Sequence, residues 1–163
     1  MKGITFLVCL LAVLMYESLL HPLVTIAGVK PDLALIFTTY FALTCGSLEA
    51  LIFGFVSGFF IDLLAPSLLG WGTLLRLGLG FWMGSFKDNL FLESFYSKGI
   101  IAGLAVLGYE IFYELVKSAF SLSATVYTLT RFSLPSALYS ALVAFVWFYF
   151  AQRKKRREIS LQP

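Results

Sequence analysis

A chain of 163 residues that is 60% hydrophobic and 13% charged, with a mean hydropathy of +0.89, lies far outside ordinary globular composition. It has too little polar surface to cover one soluble core, whereas several spans of about 20 residues use up nearly all its length and leave no soluble domain. The net charge of +3 comes with the run Arg153-Lys154-Lys155-Arg156-Arg157, which reads as a topology determinant and an anchor for anionic lipid, not as a nucleic-acid patch.

The pattern predicts an all-α, polytopic membrane protein: six transmembrane helices near residues 3–25, 31–44, 47–65, 68–86, 98–118 and 132–151. Residues 1–152 then form one transmembrane domain and 153–163 a basic cytoplasmic tail. The first segment has Lys2 and an apolar stretch like a signal peptide, but Tyr16, Glu17 and His21 stand where small cleavage-site residues belong, so it is expected to remain as an uncleaved helix. Breaks are expected at Gly28-Val29-Lys30-Pro31, Cys45-Gly46, Ala65-Pro66-Ser67, Lys87 to Glu93 and Ala119 to Arg131. Pro31 suits a first helical position, Asp32 suits the positive end of the same helix, and Pro66 is expected to end the third. Only Phe132 to Gln152 stays free of charge for more than the roughly 18 residues that mark an unambiguous span.

Loop charge sets the orientation. One side holds Lys2, Lys87, Lys98 and the five C-terminal cations, against Lys30, Lys117 and Arg131 on the other, so both termini are expected in the cytoplasm. Cys9 then lies in a helix and Cys45 in a cytoplasmic turn, where both should be inert thiols; their spacing suits neither a disulfide nor a metal.

Glycines at four-residue spacing let helices approach closely in lipid. Gly54 and Gly58, Gly80 and Gly84, and Gly99 and Gly103 form three such pairs in adjacent spans. The same stripes continue into charge: Asp62 follows Gly58, Arg76 follows Gly72, and Glu110 and Glu114 follow Gly103, so the ionisable groups should face protein. The expected polar cluster is Glu17, Asp32, Asp62, Arg76, Glu110 and Glu114, most of it in the outer half, with Asp62 paired to Arg76 and Glu110 as a second partner. Such a cluster either fixes helix register or lines a cavity open to the outside. Glu17 and His21, one turn apart, are expected to pair at the interface; Phe81-Trp82 and Trp147-Phe148-Tyr149 read as interfacial belts.

Pro31-Asp32-Leu33 opening a span, Gly54-Phe55-Val56-Ser57-Gly58 followed by Asp62-Leu63, and Ser67-Leu68-Leu69-Gly70 entering the next span resemble the MreD family of rod shape-determining membrane proteins, most closely over residues 29–90. That resemblance implies a multi-pass component of the bacterial inner membrane and its cell-elongation machinery. It also implies MreC as membrane partner, with MreB and the peptidoglycan synthases reached indirectly, and a fold similar to the substrate-binding subunits of energy-coupling-factor transporters. From the family motif, Gly54, Gly58, Asp62 and Gly70 carry over, with Pro31 and Asp32; Gly70 thereby joins the helix-packing glycines. Arg76 rests on helical spacing alone.

An intramembrane enzyme is not expected. Phe55-Val56-Ser57-Gly58 lacks the first glycine of a GxSG motif, Gly58 to Asp62 is not GxGD, and His21 is the chain's lone histidine, on another helix from Ser57. No catalytic residue, cofactor or metal site is assigned. The two function classes that remain are a non-enzymatic scaffold that positions peptidoglycan synthesis through MreC, and a substrate-binding membrane subunit of a vitamin or small-molecule transporter.

Overall fold

The computed structural model describes residues 2–20, 31–64, 70–87, 95–117 and 129–160. All regular structure among them is helical: α1 (Lys2–Met15) continued by a π-helical turn (Tyr16–Leu20), α2 (Leu33–Thr44), α3 (Ser47–Leu64), α4 (Trp71–Ser85), α5 (Phe95–Lys117), and a second π-helical turn (Leu129–Ser133) leading into α6 (Leu134–Ser160). Three of these, Ser47–Leu64, Tyr96–Lys117 and Leu134–Ala151, are long and apolar enough to cross a membrane. The expected breaks at 65–67 and 88–93 and the stop at Pro66 lie outside the described residues, as do residues 28–30 and most of the 119–131 loop. Helical structure resumes at Leu129, inside that expected loop, and α6 continues through the basic run without a break at residue 152.

At the turn between α2 and α3 the amides of Cys45 and Gly46 both donate to the Phe41 carbonyl, at 2.8 and 3.0 Å. Gly46 reverses the chain there with φ of 133°, a conformation that suits glycine.

The organising element is α2. Its 12 residues reach only about 18 Å, too short for a bilayer of about 30 Å, yet nine of them are buried. Protein surrounds it: α3 and α4 pack along one side, α5 and α6 along another, and α1 leans on α2 and α3. Thr38 and Thr39 sit in this dry interior because their hydroxyls donate back to the Ala34 and Leu35 carbonyls, at 2.7 and 2.8 Å. Aromatic rings fill the rest of the core: Phe41 and Phe53 lie 4.9 Å apart, and Trp147 meets Phe37 edge-on at 4.8 Å. Phe148 belongs to this core, at 1% exposed; of the two expected belts, Phe81 and Trp82 do face outward, but Phe148 does not. The outward faces are apolar on each surrounding helix, as with Leu7 and Leu11 on α1, Phe55 and Phe59 on α3, and Leu138 and Leu142 on α6. Charge inside and hydrocarbon outside is the reverse of a water-soluble bundle.

Glycine sets the α3–α4 spacing. A Cβ on Gly54 would lie 2.8 Å from the Arg76 carbonyl oxygen, one on Gly58 2.8 Å from the Thr73 Cα, and one on Gly80 2.8 Å from the Ala50 carbonyl; at Gly84 it would strike Ser47. A Cβ on Gly103 would lie 2.8 Å from the Ala141 methyl of α6, and one on Gly99 3.4 Å from Phe145, a looser fit. Gly70 differs from the packing role expected of it. A Cβ there would meet nothing within 4 Å, and its φ of 89° marks it as a turn residue at the start of α4.

The seam matters because α4 sets an arginine and four glycines among its apolar residues. Leu74, Leu75, Leu77, Leu79 and Phe81 each favour insertion by about 0.3–0.6 kcal/mol, while a mid-span arginine opposes it by about 2.5–3.5 kcal/mol, so on its own α4 comes close to break-even at best. Gly58→Ala should therefore lower stability by about 1–3 kcal/mol through overpacking against Thr73. Gly78→Ala, on the open face of α4, should cost nothing; thermal unfolding of both variants in detergent checks the contrast.

Candidate functional site

Two short helices, α2 and α4, begin at the same end of the bundle, and each presents unpaired backbone amides there. Asp32 caps α2 itself. Its Oδ1 accepts the Leu35 amide at 2.9 Å, and its extended backbone (φ −89°, ψ 90°) is that of an N-cap. Pro31 accordingly stands before the cap, two residues earlier than the first helical position expected of it, because the aspartate side chain does the capping.

α4 is capped by another helix. Gly70, its N-cap residue, has no side chain to offer, and Asp62 from the last turn of α3 takes over the task. One carboxylate oxygen of Asp62, Oδ2, accepts the Gly70 amide at 3.0 Å, the Thr73 amide at 2.9 Å and the Thr73 hydroxyl at 2.8 Å.

Arg76 lies between the two carboxylates. Its Nη2 donates to Asp32 Oδ2 at 3.1 Å, its Nη1 is 3.9 Å from Asp62 Oδ1, and its guanidinium carbon sits 4.7 Å from the centre of the Tyr109 ring. The three charged residues are all buried, with Arg76 only 5% exposed. Burial of two acids and one base looks unbalanced until the helix ends are included. Each N-terminus acts as roughly +0.5 charge, so two of them and the guanidinium offset two carboxylates.

The remaining helices tie into this node. The Asp32 amide donates to Ser140 Oγ of α6 at 3.0 Å, and the Tyr16 hydroxyl, in the turn after α1, donates to the Pro31 carbonyl at 3.2 Å. Gly72 leaves room for it: a Cβ there would lie 2.5 Å from Asp62 Oδ1, 3.0 Å from Arg76 Nη1 and 3.1 Å from the Tyr109 hydroxyl. Hydrogen bonds and ion pairs at this node thus join α2, α3, α4, α6 and the turn after α1, and α5 adds the Tyr109 ring over the guanidinium.

The six residues expected to cluster divide into separate groups. Asp62 does face Arg76, but the second carboxylate on the guanidinium is Asp32, not Glu110. Tyr109 is the α5 residue turned toward Arg76; Glu110, about 100° further round, points at α6, where it accepts from the Ser133 and Ser136 hydroxyls at 3.3 and 3.5 Å. Glu114 pairs with Lys117 at 3.3 Å near the exposed end of α5. Glu17 lies half-buried in the π-helical turn after α1, and its expected partner His21 is outside the described residues. Thr73, Tyr109, Ser140 and Tyr16 were missed by sequence reasoning; the i−3 spacing of Thr73 from Arg76 is the one signal that could have found any of them.

Ser57, the candidate nucleophile of the motif comparison, is buried and spends its hydroxyl on the Phe53 carbonyl at 2.7 Å. Among the described residues there is no group of three His, Cys, Asp or Glu side chains placed to hold a metal. Cys9 and Cys45 are free thiols.

Asp62→Ala, which strands the α4 amides and loosens Arg76, is expected to cost about 3–5 kcal/mol, and Asp62→Asn less, since an amide oxygen still accepts. Gly72→Ala should destabilise in the same direction by forcing Asp62 away from Arg76. Unfolding midpoints in detergent, read against wild type, check the order Asp62→Ala, then Asp62→Asn.

Comparison with curated proteins and with solved structures gives no match. The family model described as "rod shape-determining protein MreD" matches residues 2–154, nearly the whole chain. With its apolar exterior and three helices long and apolar enough to cross a membrane, this chain belongs to the MreD family of rod shape-determining proteins.

Proposed function

We propose that the chain is a six-pass scaffold of the bacterial inner membrane that serves the cell-elongation machinery without chemistry of its own. In this reading residues 1–152 form the single transmembrane domain, both termini face the cytoplasm, and residues 153–163 form a basic tail held at anionic lipid. The node then lies toward the outer half of the bilayer. The transmembrane helix of MreC docks on the flank of the bundle, and MreB and the peptidoglycan synthases are engaged through it.

The observation that carries this reading is the way the node divides its carboxylates between helix ends and Arg76. Asp32 and Asp62 each accept a helix amide and each pair with Arg76, whose Nη2 donates to Asp32 while its buried Nε has no hydrogen-bond partner, so both carboxylates are engaged in holding helices in place. This favours the register-fixing role over the ligand cavity and the scaffold over a transporter's substrate-binding subunit. A rigid bundle with apolar flanks suits recognition of a partner helix within the membrane, where shape and small residues decide association.

The test is in-cell photo-crosslinking, with the probe placed in turn at outward positions such as Leu11, Phe59, Leu104 and Leu142, and in the tail. At least one helix flank should trap MreC. Crosslinks confined to residues 153–163, or co-purification of a stoichiometric vitamin-sized molecule in place of MreC, would contradict the proposal.

A further inference from the structure

α4 has the composition of a reluctant membrane span. Its 15 residues include Arg76, Thr73 and Ser85 together with Gly72, Gly78, Gly80 and Gly84, and the three helices long and apolar enough to cross a membrane do not include it. Its two strongest charge contacts come from elements that precede it in the chain. Asp32 is presented by the N-terminus of α2, where the Leu35 amide holds its Oδ1, and Asp62 by the end of α3, where the donors to its Oδ2, at Gly70 and Thr73, come with α4 itself. The groove that receives α4 is cut by glycines on α3, so Gly54 and Gly58 admit the backbone at Arg76 and Thr73.

We propose that α4 is a conditional span, drawn across the bilayer and kept there by the Asp32 and Asp62 carboxylates on helices synthesised before it. The arginine opposes insertion when it is alone and anchors the helix once two carboxylates are waiting. The inference needs the helices to lie in a bilayer, but neither the direction of the termini nor MreC binding.

Position 87 reports the outcome. Lys87 follows α4, and its Nζ lies 3.6 Å from where a Gly46 Cβ would stand, so the end of α4 rests against the turn that carries Cys45. When α4 crosses, residues 45 and 87 share one side of the membrane; when it fails, they are on opposite sides. The experiment uses the full chain with Cys9→Ser and Lys87→Cys, pulse-labelled so that topology is read before any degradation, and a membrane-impermeant maleimide applied from either side. In this parent both thiols should react from the same side. Asp32→Asn with Asp62→Asn should raise labelling of the position-87 thiol from the other side several-fold while Cys45 stays put. Adding Arg76→Leu to that pair should return the thiol to its original side, and Arg76→Leu alone should leave it there.

The proposal is overturned if the Asp32→Asn, Asp62→Asn chain keeps both thiols together, if Arg76→Leu does not restore its topology, or if Arg76→Leu alone moves the thiol. A bundle whose termini prove to be outside leaves this assay intact, because only the relation of residue 87 to Cys45 is scored; loss of MreC binding leaves it intact as well.

Discussion

One guanidinium held between two carboxylates sets the architecture of this protein. Arg76 reaches Asp32 on one side and Asp62 on the other, and each aspartate also closes the start of a short helix. Remove the charges and α2 and α4 lose their caps as well as each other. A lone ion pair in an apolar interior gains little over a hydrophobic substitute, because desolvation takes back most of the Coulomb energy. Here the helix ends share the charge, and Tyr109 covers the guanidinium face. The cluster is therefore less a source of stability than a device that admits one arrangement of six helices.

That constraint explains the otherwise uneconomical length of α2. A 12-residue helix cannot cross a bilayer by itself, but it need not do so when its aspartate end is bonded to three neighbours and its flanks are sealed by protein. Glycine completes the arrangement on the opposite side, bringing α3 and α4 to backbone contact so that Asp62 lies level with the amides of Gly70 and Thr73. The scaffold role proposed above would need such rigidity, since a docking flank has meaning only if the helices behind it keep their positions.

Much of this was legible from residue order. Helix positions followed from apolar runs punctuated by glycine and proline, and the four-residue steps from Gly58 to Asp62 and from Gly72 to Arg76 placed those charges inward. The second partner of Arg76 was not legible in that way. Axial spacing ranked Glu110 as near enough, but whether it or its neighbour Tyr109 faces the cluster depends on the rotation of α5 about its axis, which tertiary packing decides. Asp32 is legible both as a helix-end residue and as a member of the polar cluster, but the reach of its second carboxylate oxygen to Arg76 leaves no mark in the sequence. Gly70 misled for a related reason: a glycine beside a packing stripe has the same letter whether it admits a helix or turns a chain, and its positive φ can be seen only in the fold. Phe148 was hidden by similar ambiguity, since an aromatic triplet places at least one ring on each face of a helix.

The central claim is that Asp32 and Arg76 act as a unit, and a double-mutant cycle measures it most directly. Reversible unfolding in detergent of Asp32→Ala, Arg76→Ala and the double variant should give a coupling of at least about 2 kcal/mol, with the double variant no worse than the poorer single one. A coupling below about 0.5 kcal/mol, with the two losses simply adding, would mean that the helices are held by something other than this shared guanidinium.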